Sequence, residues 1–211
     1  MNSEERRLQN KMHIIDVAGE LFAQYGVQAT TIAQIAGAAG VVSRTVLYIF
    51  GTKENLVFSV MERNVELTNE NMKRLIDRPD YQKQSGLEQV MQILKERAEY
   101  FFNTPQIVVL LSGVDILTRS DKIDELLIRQ YFEKLNHLSR FVDRALERGI
   151  SDGSIRSNLN RKEANICLLY SFRATLLRLV QIRCNDKMHK CMDTEVVLTQ
   201  EFNVIRYYLT H

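Results

Sequence analysis

Between residues 43 and 48 the chain carries a hydroxyl, a guanidinium, a second hydroxyl and a phenol, on Ser43, Arg44, Thr45 and Tyr48. These groups donate and accept hydrogen bonds at base edges and phosphate oxygens. Val46, Ile49 and Phe50 recur at i, i+3 and i+4, so a helix here has one apolar side and leaves Arg44, Thr45 and Tyr48 on the other. A short helix with such a polar side suits a major groove.

The neighbouring residues have the means to position that helix. Thr31 and Gln34 have the spacing of a capping box, and Ile32, Ile35 and Ala36 give the helix that follows an apolar side. Ala38-Ala39-Gly40 then reads as a tight helix–helix turn, because glycine tolerates positive φ and alanine permits close approach. Ser43 is the expected cap of the second helix, and Thr52 of the next one. Before them, a helix from about Glu5 to Tyr25 buries Ile14, Ile15, Ala18, Leu21 and Phe22.

The segment from Ile14 to Leu56 resembles the N-terminal domain of the tetracycline-repressor (TetR/AcrR) family of bacterial regulators. The resemblance is carried by Ile15, Ala18, Leu21-Phe22, Gly26, Thr30-Thr31, Ile35-Ala36, Ala39-Gly40-Val41, Thr45, Phe50, Lys53-Glu54 and Leu56, with no insertion between Ala39 and Lys53. Val42 stands where the family commonly has Ser, and Leu47 where it commonly has Tyr; here hydroxyl and phenol each lie one place later, at Ser43 and Tyr48. The resemblance implies a helix-turn-helix head over residues 1–52 and a ligand-binding and dimerisation body over residues 53–211. It also implies a homodimeric repressor, released from a palindromic double-stranded DNA operator by a small-molecule effector. Ser43, Arg44, Thr45 and Tyr48 are then expected at bases or nearby phosphates, and Thr30, Thr31 and Lys53 at the DNA backbone.

Bulk properties neither announce nor forbid this. The formal net charge of the 211 residues is +2, and the first 56 residues balance Arg6, Arg7, Lys11, Arg44 and Lys53 against Glu4, Glu5, Asp16, Glu20 and Glu54. Affinity for DNA must come from placement of charge rather than its total. Two prolines, nine glycines and recurrent helical spacing favour an all-α fold of about nine helices. The N-terminal residues lack the apolar core of a secretory signal. The most hydrophobic helix, near Ala164 to Val180, is interrupted by Arg173 and Arg178 and reads as buried core rather than a membrane span. Three cysteines without a Cys-x-x-Cys pair point to a reducing cytoplasm.

The body reads as helices without a sharp motif. The fourth helix continues through Val65, Arg78-Pro79-Asp80 breaks the chain, and Leu87 to Phe102 form a further apolar side. Thr104-Pro105 is expected to restart a helix, with Ile107 to Leu111 central and buried. Helices are expected from Ser120 to Arg148, stopped by Gly149, then over roughly Arg161 to Arg183 and Thr194 to Leu209. Phe101, Phe102, Asp115, Tyr131, His137, Tyr170 and Arg173 put aromatic or lone polar groups on apolar helices and are candidate pocket residues for an amphipathic organic ligand. The resemblance implies that the last two helices pair with their mates, and Leu198, Phe202, Ile205 and Leu209 fit such an interface as well as internal packing.

Other chemistries lack their parts. The histidines are scattered and no Glu-x-x-His or His-Glu-x-x-His occurs, which weakens a di-iron bundle enzyme. Cys184, His189 and Cys191 share one polar stretch, which fits a surface loop better than a soft-metal or redox sensor. No Gly-rich phosphate loop or Gly-x-Ser-x-Gly appears. The expectation is therefore a regulator with no cofactor, no metal and no catalytic residue. The alternatives are a helical binding protein or enzyme with a structural head, or a nucleoid-type DNA binder without an effector.

Overall fold

In a computed structural model of the chain, the residues described are 3–105, 110, 123–185, 187 and 190–211. Among them are nine helices: α1 (Ser3–Tyr25), α2 (Ile32–Ala38), α3 (Ser43–Phe50), α4 (Lys53–Ile76), α5 (Pro79–Gln82), α6 (Gly86–Asn103), α7 (Glu125–Asp152), α8 (Arg161–Arg183) and α9 (Thr194–Thr210). No strand occurs among the described residues, so the fold is all-α. Among the described residues no single helix is long and apolar enough to cross a membrane. Asp115, His189 and most of the apolar run at 107–111 lie outside the described residues.

The chain divides into two compact units. The first holds α1 to α3, α4 up to Glu66, and α7 up to Lys134. Its core is Ile14, Ala18 and Phe22 of α1, Ile35 of α2, Val46 and Phe50 of α3, and Leu56, Val57, Phe58 and Met61 of α4. Burying each large aliphatic or aromatic side chain of this set contributes roughly 1.5–3 kcal/mol. Within the same unit Phe58 meets Tyr131 of α7 edge-on at 5.8 Å, and the Lys134 ammonium donates to both Glu62 and Glu66.

The second unit holds the remainder of α4 and α7 with α5, α6, α8 and α9. Its best-fastened joint is the start of α6. Asp152 accepts from the Gly86 N–H at 2.8 Å and Ser154 Oγ from the Leu87 N–H at 3.0 Å. Ser85 and Glu88 complete a capping box. Every amide of that first turn is thus satisfied, including those of the buried Gly86, Leu87 and Gln89. Gly149 does not stop α7, as the sequence suggests; α7 runs on to Asp152 and ends at Gly153, whose φ is +77°. Gly149 is small for a different reason. A Cβ on Gly86 would lie 1.9 Å from the Gly149 nitrogen, and one on Gly149 would lie 2.4 Å from Ile155 Cδ1. These two glycines let α6 and α7 cross backbone to backbone. Thr104 likewise serves the preceding helix, its hydroxyl donating to the Tyr100 carbonyl.

Gly86→Ala has only backbone to push against and is expected to cost ~2 kcal/mol or more. Gly37→Ala, with nothing within 4 Å of its new Cβ, should instead stabilise by roughly 0.5–1 kcal/mol. Urea titration of the two variants checks both signs. The Ser154 side chain, with the Gly86 and Ser154 N–H groups, holds the Asp152 carboxyl below the usual carboxylate range. Its contribution is complete above the unfolded pKa and is lost as pH falls through the lowered folded one. Asp152→Asn should therefore flatten the acid side of the Tm–pH curve.

Candidate nucleic-acid interface

The arrangement of α2 and α3 is set by the turn between them. Gly40 has φ +67°, where a Cβ is strained. Its N–H donates to the Gly37 carbonyl at 3.2 Å and the Val41 N–H to the Ala36 carbonyl at 2.9 Å. These two bonds are the pattern of a Schellman ending, and they satisfy the last carbonyls of α2. The axis of α3 then turns 108° from that of α2, within the range of DNA-binding helix-turn-helix pairs.

At the start of α2 the capping box is formed as the sequence predicts. The Thr31 N–H donates to Gln34 Oε1 at 2.8 Å and the Gln34 N–H to Thr31 Oγ1 at 3.2 Å. Thr31 itself remains exposed. Thr30 is a correction to the expected DNA contacts. It is 1% exposed, and its hydroxyl donates to the Gly26 carbonyl at 2.8 Å. It closes the turn after α1 instead of facing outward.

The start of α3 is a second correction. Val42, not Ser43, is the N-cap, and no side chain among the described residues caps this end. Ser43 is the first helical residue. The first amides of α3 therefore lack a side-chain acceptor, the condition under which a helix N-terminus attracts an anion such as phosphate. Val46 and Phe50 face the core. Arg44 is exposed and makes no ion pair among the described residues. Tyr48 is 78% exposed, the most open of the large hydrophobic side chains among those described. Ser43 and Thr45 are half-buried at its flanks. Leu47, where the phenol was missing from the family pattern, is itself outward.

Thr52 caps α4 as expected, accepting from the Asn55 N–H at 3.1 Å. Lys53 is half-buried in the first turn beside it. Asn55 is a residue that sequence reasoning missed. Its Nδ2 donates to the Phe50 carbonyl at 2.9 Å and its Oδ1 accepts from the Asp124 N–H at 3.1 Å. One amide thus joins the end of α3, the start of α4 and the residue before α7. Its signal in the sequence is an Asn three residues after a capping Thr, which spacing alone assigns to an exposed first turn.

The pocket candidates do not form one group. Tyr131 is buried in the first unit between Phe58 and Phe132. In the second unit Phe101 is buried, while Phe102 lies under the Arg183 guanidinium at 4.8 Å. His137 is exposed. Tyr170 is 67% exposed and shares the outward side of α8 with Ile166. Arg173 faces Arg97 of α6 closely enough for mutual repulsion. Arg97 was missed, although it falls four residues after Ile93 and four before Phe101, on the apolar side of α6.

On α9, where the apolar spacing fits an interface as well as internal packing, Leu198 is half-buried. Ile205 and Leu209 are buried within the chain, and Phe202 packs on Phe172 of α8 at 5.5 Å. The apolar groups left outward are Val196, Val204, Tyr207 and Tyr208 of α9 with Ile166 and Tyr170 of α8. Among the described residues no group of three or more His, Cys, Asp or Glu side chains stands close enough to hold a metal ion.

Chemical denaturation separates scaffold from surface here. Asn55→Ala leaves a carbonyl and an amide without their partner and should cost about 1–3 kcal/mol. Arg44→Ala and Tyr48→Ala should stay within about 0.5 kcal/mol of the parent.

Comparison with known proteins gives this geometry its setting. A family model described as bacterial regulatory proteins, tetR family, matches residues 14–60. The HTH-type transcriptional repressor KstR2 of Rhodococcus jostii is 25% identical over 154 residues, which span 71% of this chain and 70% of that protein. Among solved structures, the regulator FadR from Bacillus subtilis in complex with stearoyl-CoA superposes with a TM-score of 0.66 at 20% identity, covering 95% of this chain and 99% of that one. The ketosteroid transcriptional regulator KstR2 of Mycobacterium tuberculosis superposes with a TM-score of 0.62 at 17% identity, covering 100% and 97%.

Proposed function

We propose that this chain, which belongs to the tetR family of bacterial regulatory proteins and is a DNA-binding transcriptional regulator, reads its operator with the outward side of α3. The observation that carries this reading is the pairing of an uncapped, solvent-facing α3 with a turn that tips it 108° from α2. Arg44 and Tyr48 supply the base-edge contacts, flanked by Ser43 and Thr45. Thr31 and Lys53, at two helix starts, take phosphates on either side. A guanidinium with no internal partner keeps its donors for guanine or phosphate oxygens.

A head of this size makes few contacts, and two heads on one symmetry axis multiply them. The head is residues 1–52 and the body 53–211. The dimer forms through Ile166 and Tyr170 of α8 with Val204 and Tyr207 of α9, which are outward and apolar in the single chain. The protein acts in the cytoplasm, where its three exposed cysteines stay as thiols, and its task is recognition without a catalytic step.

The body takes a small amphipathic effector. The stearoyl-CoA of one structural neighbour and the ketosteroid in the description of another support that class. An effector releases the DNA only by binding the non-DNA-fitting arrangement more tightly than the fitting one. α4 is the natural carrier, because this one helix contributes residues to both units.

Gel shift of the chain on the DNA upstream of its own coding region tests the reading. A discrete, salt-sensitive complex is expected, with Arg44→Ala weakening it by roughly 1–3 kcal/mol. Equal affinity for unrelated DNA contradicts specific regulation. Tyr170→Glu combined with Val204→Glu should yield a monomer in sedimentation and abolish the discrete complex.

A further inference from the structure

The second unit buries a cation that its own groups do not neutralise. Arg97 is 4% exposed, and its Nε and Nη1 are shielded from solvent and have no hydrogen-bond partner among the described residues. The charged group that acts on it most is another guanidinium, Arg173 of α8. Burial and that neighbour together push Arg97 down to about 10. A buried, unpaired guanidinium is strongly unfavourable, and chains retain one chiefly where something else completes it.

Arg97 also lines a cleft of about 350 Å³ between the second half of α4 and α6. That is within the usual size of small-molecule sites. Met72 and Leu75 give the cleft apolar wall, and Tyr100 a half-buried ring. Its carboxylates do not serve Arg97. Glu96 accepts from Gln92 Nε2 and sits 3.7 Å from Arg78, and Glu99 is exposed. With Arg74 and Arg78 on its rim, the cleft carries three cations against two carboxylates.

We propose that Arg97 is the anchor for an anionic group of a small ligand, a carboxylate or phosphate whose apolar remainder lies along Met72 and Leu75. This rests on the reading of the body as the effector-binding part and adds the charge of the effector. The Arg97 guanidinium lining the cleft donates to the ligand's oxygens, and Arg173 raises the local positive potential. Sequence alone treats position 97 as one more place on an apolar helix side.

Thermal melts of the full chain with octanoate, octanoyl-coenzyme A and uncharged octanol test it. At least one anionic probe should raise Tm in a saturable way while octanol does not, and which anion acts tells a carboxylate head from a phosphate one. Arg97→Met should weaken that probe at least tenfold. Without any probe, Arg97→Met should melt no lower than the parent, since it removes an unpaired buried charge. Stabilisation by octanol alone, an unchanged anion affinity in Arg97→Met, or a clear drop in its ligand-free Tm would overturn the proposal. Gel shift of the parent on upstream DNA is scored separately. A chain that binds the anion and ignores the DNA keeps the Arg97 site and loses the regulator reading.

Discussion

Two main-chain hydrogen bonds at the end of α2, from Gly40 to Gly37 and from Val41 to Ala36, close a left-handed residue into the shortest connection that swings α3 away from α2. The rest of the head depends on that closure. Val46 and Phe50 reach the core only because α3 leaves the turn at this angle, and the same rotation carries Arg44 and Tyr48 outward. Any side chain at position 40 would meet backbone strain. The polar surface of the head is thus a by-product of how its apolar side is buried, which ties recognition to packing.

A second tie runs from the end of α3 into α4 and on to the residue before α7, through the three hydrogen bonds made by the backbone and side chain of Asn55. Lys134 holds α7 against Glu62 and Glu66 a few turns further along α4. Asn55 thus joins α4 to the Phe50 carbonyl by a direct hydrogen bond. In a regulator, this is the kind of discrete connection through which ligand binding biases one arrangement over another. The buried Arg97 beside the second half of α4 has the complementary property: its charge is unsatisfied until an anion arrives.

Much of the head was legible in the sequence because its signals are local. The capping box at Thr31 and Gln34, the glycine at 40 and the alternation of Val46 and Phe50 with Arg44 and Tyr48 each depend on residues within one or two turns. The failures are of a different kind. Gly149 has the look of a helix stop, yet it is a contact point for Gly86, sixty-three positions away in the chain. Thr30 is the local exception: its acceptor, the Gly26 carbonyl, is only four residues back, and what the spacing does not show is its burial. On α9 the apolar spacing was right and the partner was open: Ile205 and Leu209 turn to their own chain, leaving Val204 and Tyr207 outward. Arg97 was hidden by the strength of the apolar pattern around it. Charge on a buried helix side is a pairwise matter, and its partner, or lack of one, belongs to the tertiary structure.

Operator recognition as proposed requires α3 to lie in a major groove twice, about one symmetry axis. Selection of bound duplexes from a random-sequence pool by the full-length chain tests this most directly. It predicts a palindrome whose half-sites are centred about one helical turn apart, roughly 34–36 Å, with selection weakened at defined positions in Arg44→Ala. Recovery of duplexes with no common sequence, or of a motif without twofold symmetry that Arg44→Ala retains unchanged, would contradict it.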